Sequence, residues 1–177
     1  MRLLRYFLLR QHAAYTHAPC LINWFQVFDA RKIRPETARE IPYRSLIEIR
    51  PDELLCFTDA VLSPYLLLSG LLKKVVAAYE PGIEYKDVVL LDKVHERYEL
   101  YYLPVLAEAD CLHETSECTP DKSRIKRAVF AKEKLPELSI FRVGGLRDAH
   151  IAVRLDLAES FLRRKAAGLA FAPVEVV

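Results

Sequence analysis

The chain has 177 residues, of which 52% are hydrophobic and 28% are charged, so one domain of ordinary size with a real apolar core is expected. It has only 5 Gly and 10 Pro and no repetitive tract, which excludes collagen-like and low-complexity chains. The net charge is +2, but residues 51–120 carry 13 acidic and 5 basic side chains between two basic flanks. This distribution is not that of a strongly basic nucleic-acid binder, so no nucleic-acid partner is expected.

Neither the amino terminus nor the longest apolar stretch predicts export or a membrane span. Arg5 and Arg10 leave only four apolar residues between them, whereas the apolar region of a signal peptide needs roughly 7–15. Residues 60–72 are interrupted by Ser63 and Pro64 and are shorter than the ~20 apolar residues that span a bilayer. The sequence therefore predicts a cytoplasmic protein.

The four cysteines are too few and too scattered for a disulfide framework. Cys111, His113 and Cys118 form a C-x-H-x4-C pattern, but a structural zinc site needs a fourth ligand and usually has more closely spaced pairs. We therefore expect buried or unreactive thiols, with neither a metal ion nor another cofactor.

The N-terminal part of the chain predicts short strands around a long ordered loop. Residues 3–9 read as a first strand, and residues 45–49 alternate as a second short strand. Between them, prolines break the periodicity of residues 11–42, and the apolar island there, which contains the only tryptophan, predicts a short strand at 24–28.

The clearest predicted helix begins at Ser63 and Pro64, because serine is a good N-cap and proline suits the first helical position. Apolar residues then recur at three- to four-residue spacing, which predicts one buried helix face. Those residues are Tyr65, Leu68, Leu72, Val75 and Tyr79. Pro81 and Gly82 are expected to end the helix.

The second half predicts mostly strands. Residues 83–91 and 97–103 form an expected hairpin, followed by an acidic loop at 107–121. Further strands are predicted at 124–130, at 138–143 and 146–154 around a Gly144-Gly145 turn, and at 169–176, where Pro173 favours an edge position. A second helix is predicted with Asp156 as N-cap and Gly168 as its C-terminal glycine.

These elements together predict an α+β fold in a single domain, residues 1–177, with a mostly antiparallel β-sheet and two main helices packed on it. Residues 1–57 form its irregular N-terminal part with short strands, and residues 58–177 form the sheet-and-helix core.

The sequence lacks the common nucleotide-binding, zincin and α/β-hydrolase motifs, and no catalytic residue is predicted. His17 and Cys20 lie three residues apart, which leaves a small hydrolase with a Cys/His site as an alternative, although a thiolate needs a positioned base. The basic run at 122–127 has only Phe130 nearby and is typical of a solvated face rather than of a base-stacking surface.

A protein partner is the favoured hypothesis for the loops. The acidic side chains Glu108, Asp110, Glu114 and Glu117 would suit a basic partner, since opposed charges speed association and fix orientation. Trp24 and Phe25, in an irregular loop, are candidate interface anchors.

Three stretches together resemble the bacterial polymorphic-toxin immunity proteins, a family long described as a domain of unknown function. They are LLLSGLLK at 66–73 leading to VVLL at 88–91, YYLPVL at 101–106 leading to ADCL at 109–112, and ESFLRR at 159–164 followed by GLAF at 168–171. The resemblance covers roughly residues 60–177.

The resemblance implies a small cytoplasmic protein that binds and neutralises a cognate toxin encoded beside it, by steric occlusion and without catalytic residues. A regulatory or scaffold protein without a toxin partner shares the same sequence features and stays open as an alternative. The sequence leaves the toxin and the oligomeric state undetermined.

Overall fold

The computed structural model describes residues 5–177, in which two α-helices and thirteen strands are found. The helices are α1 (Gly70–Tyr79) and α2 (Leu155–Arg163). The strands are β1 (Tyr6–Gln11), β2 (Arg44–Glu48), β3 (Ala60–Val61), β4 (Leu67–Leu68), β5 (Glu84–Asp92), β6 (Arg97–Val105), β7 (Glu108–Ala109), β8 (Glu117–Cys118), β9 (Ile125–Arg127), β10 (Val129–Phe130), β11 (Ile140–Val143), β12 (Ile151–Arg154) and β13 (Leu169–Val176). The predicted α+β class is confirmed.

The first strand of the described chain lies inside a six-stranded sheet of order β10-β13-β1-β12-β11-β7. It pairs antiparallel with β12 on one side and with β13 on the other. Tyr6 and Leu8 pack into one apolar cluster and Leu9 into another. Because successive side chains point to opposite faces, a strand covered on both faces needs an unbroken apolar run. Residues 3 and 4 of the predicted strand lie outside the described residues.

A five-stranded sheet of order β2-β5-β6-β4-β3 forms the other half of the fold. The predicted hairpin is confirmed, with β5 and β6 paired antiparallel from Glu84↔Val105 to Asp92↔Arg97. Leu21, Phe28, Ile33 and Ile41 from the long N-terminal loop pack on this sheet. The loop is therefore ordered, because it covers an apolar face that would otherwise meet water.

The predicted strand at 24–28 is wrong. Asn23 has a left-handed backbone, with φ of 54°, which turns the chain into a single 3-10 turn at Trp24–Gln26. Just before this turn, Leu21 forms an isolated bridge with Ile49, and Phe28 packs into the apolar cluster of the five-stranded sheet.

The start of α1 is also later than the sequence predicts. Ser69, not Ser63, is the N-cap: its hydroxyl oxygen accepts a hydrogen bond from the Leu72 N–H at 3.3 Å and donates to Asp59 at 2.8 Å. Leu68 belongs to β4, where it pairs with Tyr102 of β6. The apolar spacing predicts too early a start for the helix, because the buried strand β4 directly precedes it and continues its apolar stripe.

The second helix begins one residue before the predicted cap, since Asp156 lies inside its first turn and pairs with Arg154 at 2.7 Å. Lys165, with φ of 55°, takes the left-handed position after the helix, and Gly168 lies further along the chain. The two helices contact each other through Tyr79, whose hydroxyl lies 2.6 Å from the Ser160 hydroxyl. Both contribute to one apolar cluster on the six-stranded sheet.

The strands β11 and β12 pair as predicted, but residues 144–150 rather than a Gly-Gly turn connect them. Gly144 instead lies against Ala109 of β7: its N–H donates to the Ala109 carbonyl at 2.8 Å, and a Cβ at Gly144 would lie 3.1 Å from that oxygen. Pro173 lies where β13 is an edge, because β10 pairs only with Glu175 and Val176. Neither helix of the described chain has the length and apolar character needed to cross a membrane.

Candidate functional site

A cleft of about 990 Å3 lies between elements of the two sheets. The six-stranded sheet contributes residues of β1, β11 and β12, and the five-stranded sheet contributes Leu103 and Pro104 of β6. Loops complete the wall, including the segment that leads from β3 to β4. Its volume is at the upper end of the ~300–1,000 Å3 typical of small-molecule sites.

Guanidinium groups dominate the charged lining of this cleft. The arginine, aspartate and histidine residues that line it, within the described chain, are Arg10, Arg31, Arg124, Arg142, Arg147, Asp148 and His150. Arg31, Arg124 and Arg147 are exposed, whereas the Arg142 side chain is only 15% exposed. The cleft therefore presents positive charge at its mouth and also at depth.

Arg10 is held in place by a chain of two hydrogen bonds. Its Nη1 group lies 3.0 Å from Nδ1 of His150, and since a guanidinium only donates, Nδ1 accepts. The other ring nitrogen then carries the proton and donates to the Ser123 carbonyl at 2.9 Å. This hydrogen-bond pattern assigns His150 as a neutral ring. Burial lowers the pKa of His150, which also favours the neutral form. The histidine orients Arg10 without adding charge.

Arg142 shares a carboxylate with a second arginine. Glu108 lies 3.5 Å from Nε of Arg142 and 3.7 Å from Nη2 of Arg34, both longer than a normal hydrogen bond. Nε of Arg142 is buried and has no hydrogen-bond partner among the described residues. Glu108 therefore neutralises only part of the charge that it faces.

Aromatic side chains form one wall of the cleft. Trp24 packs edge-to-face on Tyr65, with ring centroids 6.0 Å apart, and both residues line the cleft. Phe25 packs edge-to-face on Trp24 at 5.8 Å and is 63% exposed. An exposed aromatic residue thus stands beside a charged cleft.

The predicted acidic site is divided in the structure. Glu108 points its charge toward two arginines, and Trp24 lines the cleft. Asp110, Glu114 and Glu117 are exposed, and none of these three lines the cleft.

The arginines were missed because they come from positions as far apart as 10 and 147, in elements that meet only in the folded chain. The sequence signals were the basic character of the two flanks, which hold every arginine of the lining, and the basic run at 122–127, which contains Arg124 but reads as a solvated face.

Among the described residues, no hydrogen bond joins a histidine ring to a cysteine thiol, as the Cys/His alternative would need. The histidine partners are the Ala14 N–H for His12, Asp52 for His17, Asp92 for His95, Thr115 for His113 and Arg10 for His150. Burial raises the pKa of the Cys111 thiol to about 11, which makes it a poor nucleophile at neutral pH. Within residues 5–177, no group of three or more His, Cys, Asp or Glu side chains is arranged to hold a metal ion.

Comparison with models of known protein families and with curated proteins finds no match to this chain. The functional argument therefore rests on the fold, the cleft and the resemblance described in the sequence analysis.

Proposed function

We propose that this chain is a cytoplasmic immunity protein of the bacterial polymorphic-toxin type, which neutralises a toxin by binding it and does not act as an enzyme. The likeness of residues 60–177 to that family supports the proposal. The observation that carries it is the composition of the cleft mouth, where Phe25, 63% exposed, stands on Trp24 at the edge of a cleft lined by exposed arginines.

This composition is typical of the energetic centre of a protein interface. Tryptophan, tyrosine and arginine are enriched among residues whose truncation costs most of the binding energy. Arg31 and Arg147 have side chains 89% and 70% exposed, and their carboxylate partners are themselves at the surface. Such ion pairs contribute little to stability and exchange easily for partner carboxylates. The expected toxin surface is therefore acidic, with an apolar recess for Phe25.

The test is co-purification with the product of the adjacent upstream gene. We expect a stoichiometric complex that relieves the toxicity of that product. A variant combining Phe25→Ala, Arg124→Glu and Arg147→Glu should weaken the complex by at least ~30-fold in Kd, because two or more contacts of ~1–2 kcal/mol each are lost.

The matched control makes the same kinds of substitution, one aromatic residue and two arginines, at exposed positions outside the cleft. Tyr98 is 71% exposed on β6, and Arg163 and Arg164 are exposed at the end of α2; none of the three lines the cleft. The variant Tyr98→Ala, Arg163→Glu, Arg164→Glu should bind like the unchanged protein. The absence of any complex with a toxic neighbour contradicts the proposed function, and equal weakening by both variants contradicts the proposed surface.

A further inference from the structure

The strand β2 forms an open edge of the five-stranded sheet. In the sheet order it has β5 on one side and, within the described residues, no strand on the other. Parallel pairing with β5 occupies the backbone groups of odd-numbered residues, as in the 2.9 Å hydrogen bond from the Asp87 N–H to the Tyr43 carbonyl. The even-numbered residues Arg44 and Leu46 therefore direct their N–H and carbonyl groups away from β5, and residues 5–177 supply no backbone partner for these groups. Such unpaired groups are a template for another strand.

Two features limit the open edge to a short stretch. At one end, the Ile22 N–H donates to the Glu48 carbonyl at 2.9 Å, so the N-terminal loop occupies the edge from residue 48 onward. At the other end, Pro42 has no N–H to donate, and Ile41 before it is buried in the apolar cluster of the same sheet. Residues 44–47 are therefore the part of the edge that is open to a pairing strand.

The side chains of this stretch do not protect it from another strand. Native proteins blunt their edge strands with free charges, prolines or bulges. Here the centre of the open stretch is Leu46, which is 53% exposed, and β2 pairs with β5 in an unbroken register. The charge of Arg44 is engaged within the sheet, by Asp87 at 2.9 Å. The charge of Glu48 is likewise engaged, by Lys93. The edge is therefore apolar at its centre and has no free charge at its ends.

A second copy of this chain matches the open edge in one antiparallel register. With Arg44 of each copy opposite Leu46 of the other, the free N–H and carbonyl groups of both residues pair across a two-fold axis. Moving one copy by two residues in one direction sets Arg44 opposite Arg44, and like charges directly opposite are destabilising. Moving it in the other direction sets Arg44 opposite Glu48, whose carbonyl is already bound by Ile22. In the remaining register, the methylene groups of Arg44 cover the exposed Leu46 of the other copy.

We propose that this chain forms a two-fold homodimer in which β2 pairs antiparallel with β2 of the second copy, with Ser45 at the axis. The two five-stranded sheets then become one continuous sheet, and the unpaired backbone groups of both edges are satisfied. Because the contact is short, the dimer is weak, with a Kd on the order of 10–100 µM. Dimerisation needs no toxin, and β2 contains none of the residues that are changed to test the proposed toxin surface.

Sedimentation velocity of the full chain between about 1 and 500 µM measures the association. We expect the weight-average mass to rise with concentration from that of one chain towards that of two. Leu46→Lys should weaken self-association by roughly tenfold or more, because it sets a lysine directly opposite Arg44 of the second copy and removes an apolar contact. Leu162→Lys is the matched control: Leu162 is 61% exposed on α2, outside the five-stranded sheet, so this variant should dimerise like the unchanged protein.

Amide hydrogen exchange followed by NMR identifies the contact surface in the unchanged protein. The amides of Arg44 and Leu46 should exchange more slowly at high protein concentration than at low concentration, because pairing protects them. The amides of Ser45 and Ile47, which bond to β5, should be protected at both concentrations and are the internal control. This measurement needs no substitution, so it does not depend on whether Leu46→Lys folds.

Four results would overturn the inference. One is the mass of a single chain over the whole concentration range. Another is a dimer that Leu46→Lys does not weaken. The third is a dimer in which the exchange of the Arg44 and Leu46 amides is unchanged, which would place the contact on another surface. The last is protection of these amides only when the proposed toxin is added, which would assign the edge to a strand of a protein partner. The first three are measured on this chain alone and do not bear on whether the toxin complex forms.

Discussion

Replacing Gly168 with alanine is expected to lower the free energy of unfolding by about 3–5 kcal/mol, the sum of backbone strain and overpacking. The residue has φ of +90°, a conformation that side chains other than glycine rarely adopt. A Cβ there would lie 2.7 Å from Cβ of Thr58. Thr58 is 1% exposed, its hydroxyl donates to the Ala60 carbonyl, and its own carbonyl accepts from Tyr101, so a shift of Thr58 would disturb both hydrogen bonds.

The measurement is urea denaturation followed by circular dichroism. Gly82→Ala is the matched control, since nothing lies within 4 Å of a Cβ built there and its φ is not positive. That variant should be neutral or up to ~1 kcal/mol more stable, because alanine reduces the freedom of the unfolded chain. A loss below 1 kcal/mol for Gly168→Ala would contradict the close approach of residues 58 and 168.

Asp92→Asn is expected to lower the melting temperature at pH 7 by on the order of 5–10 °C. Asp92, fully buried at the end of β5, accepts hydrogen bonds from the backbone N–H groups of Val94 and His95, from the His95 ring at 2.8 Å and from Arg97 at 3.1 Å. Burial alone would raise the pKa of Asp92, but these donors outweigh it and hold the pKa well below its ordinary value. An asparagine would turn an NH2 group toward donors.

The pH dependence of this effect has a definite sign. Because the folded pKa lies below the unfolded value of about 3.9, the ionised carboxylate stabilises the fold above that pH. Its contribution is lost as the pH falls below about 4, so the difference between the two proteins should shrink between pH 5 and pH 3.

A surface carboxylate provides the control for Asp92. Asp29 also pairs with an arginine, Arg31 at 2.7 Å, and its hydrogen bonds from Arg31 lower its pKa to about 2. Its partner is 89% exposed, so Asp29→Asn should change the melting temperature by no more than about 2 °C. Equal changes in melting temperature for the two variants, or a pH-independent change for Asp92→Asn, would show that the buried hydrogen bonds of Asp92 stabilise the fold no more than a surface ion pair does.

Local pattern was enough to predict the elements whose partners lie nearby in the sequence. The β5–β6 hairpin and β13 were predicted to within a few residues, because an apolar run between turn residues fixes each of them. The start of α1 was not, since Leu68 fits a helical stripe and a buried strand equally well. Only the pairing of Leu68 with Tyr102 decides between the two.

Local sequence pattern could not predict the candidate site, and the reason is a different one. Arg10 and Arg142 look like ordinary polar interruptions of apolar strands, and the sequence gives no distance between them. They line one cleft only because β1 enters the sheet beside β12, a pairing of residues more than 140 positions apart. The sequence predicts a site at the acidic loop because its charges lie close together along the chain. The arginines of the cleft come from distant segments and line one cleft only in the folded protein.

The position of β1 has a consequence for synthesis on the ribosome. The apolar cluster of the five-stranded sheet uses only residues between Leu21 and Leu103, so it has all its members before the last third of the chain is translated. Tyr6–Gln11 must wait for Ile151–Arg154 and Leu169–Val176, which at ~5–20 residues per second takes on the order of ten seconds. Because the exit tunnel covers the most recently made residues, we expect nascent chains stalled near residue 145 to resist protease across 44–105 while residues 5–11 are cut. Protection of both segments would mean that β1 finds a temporary partner in the nascent chain, so that β1 is not exposed to chaperones while it waits.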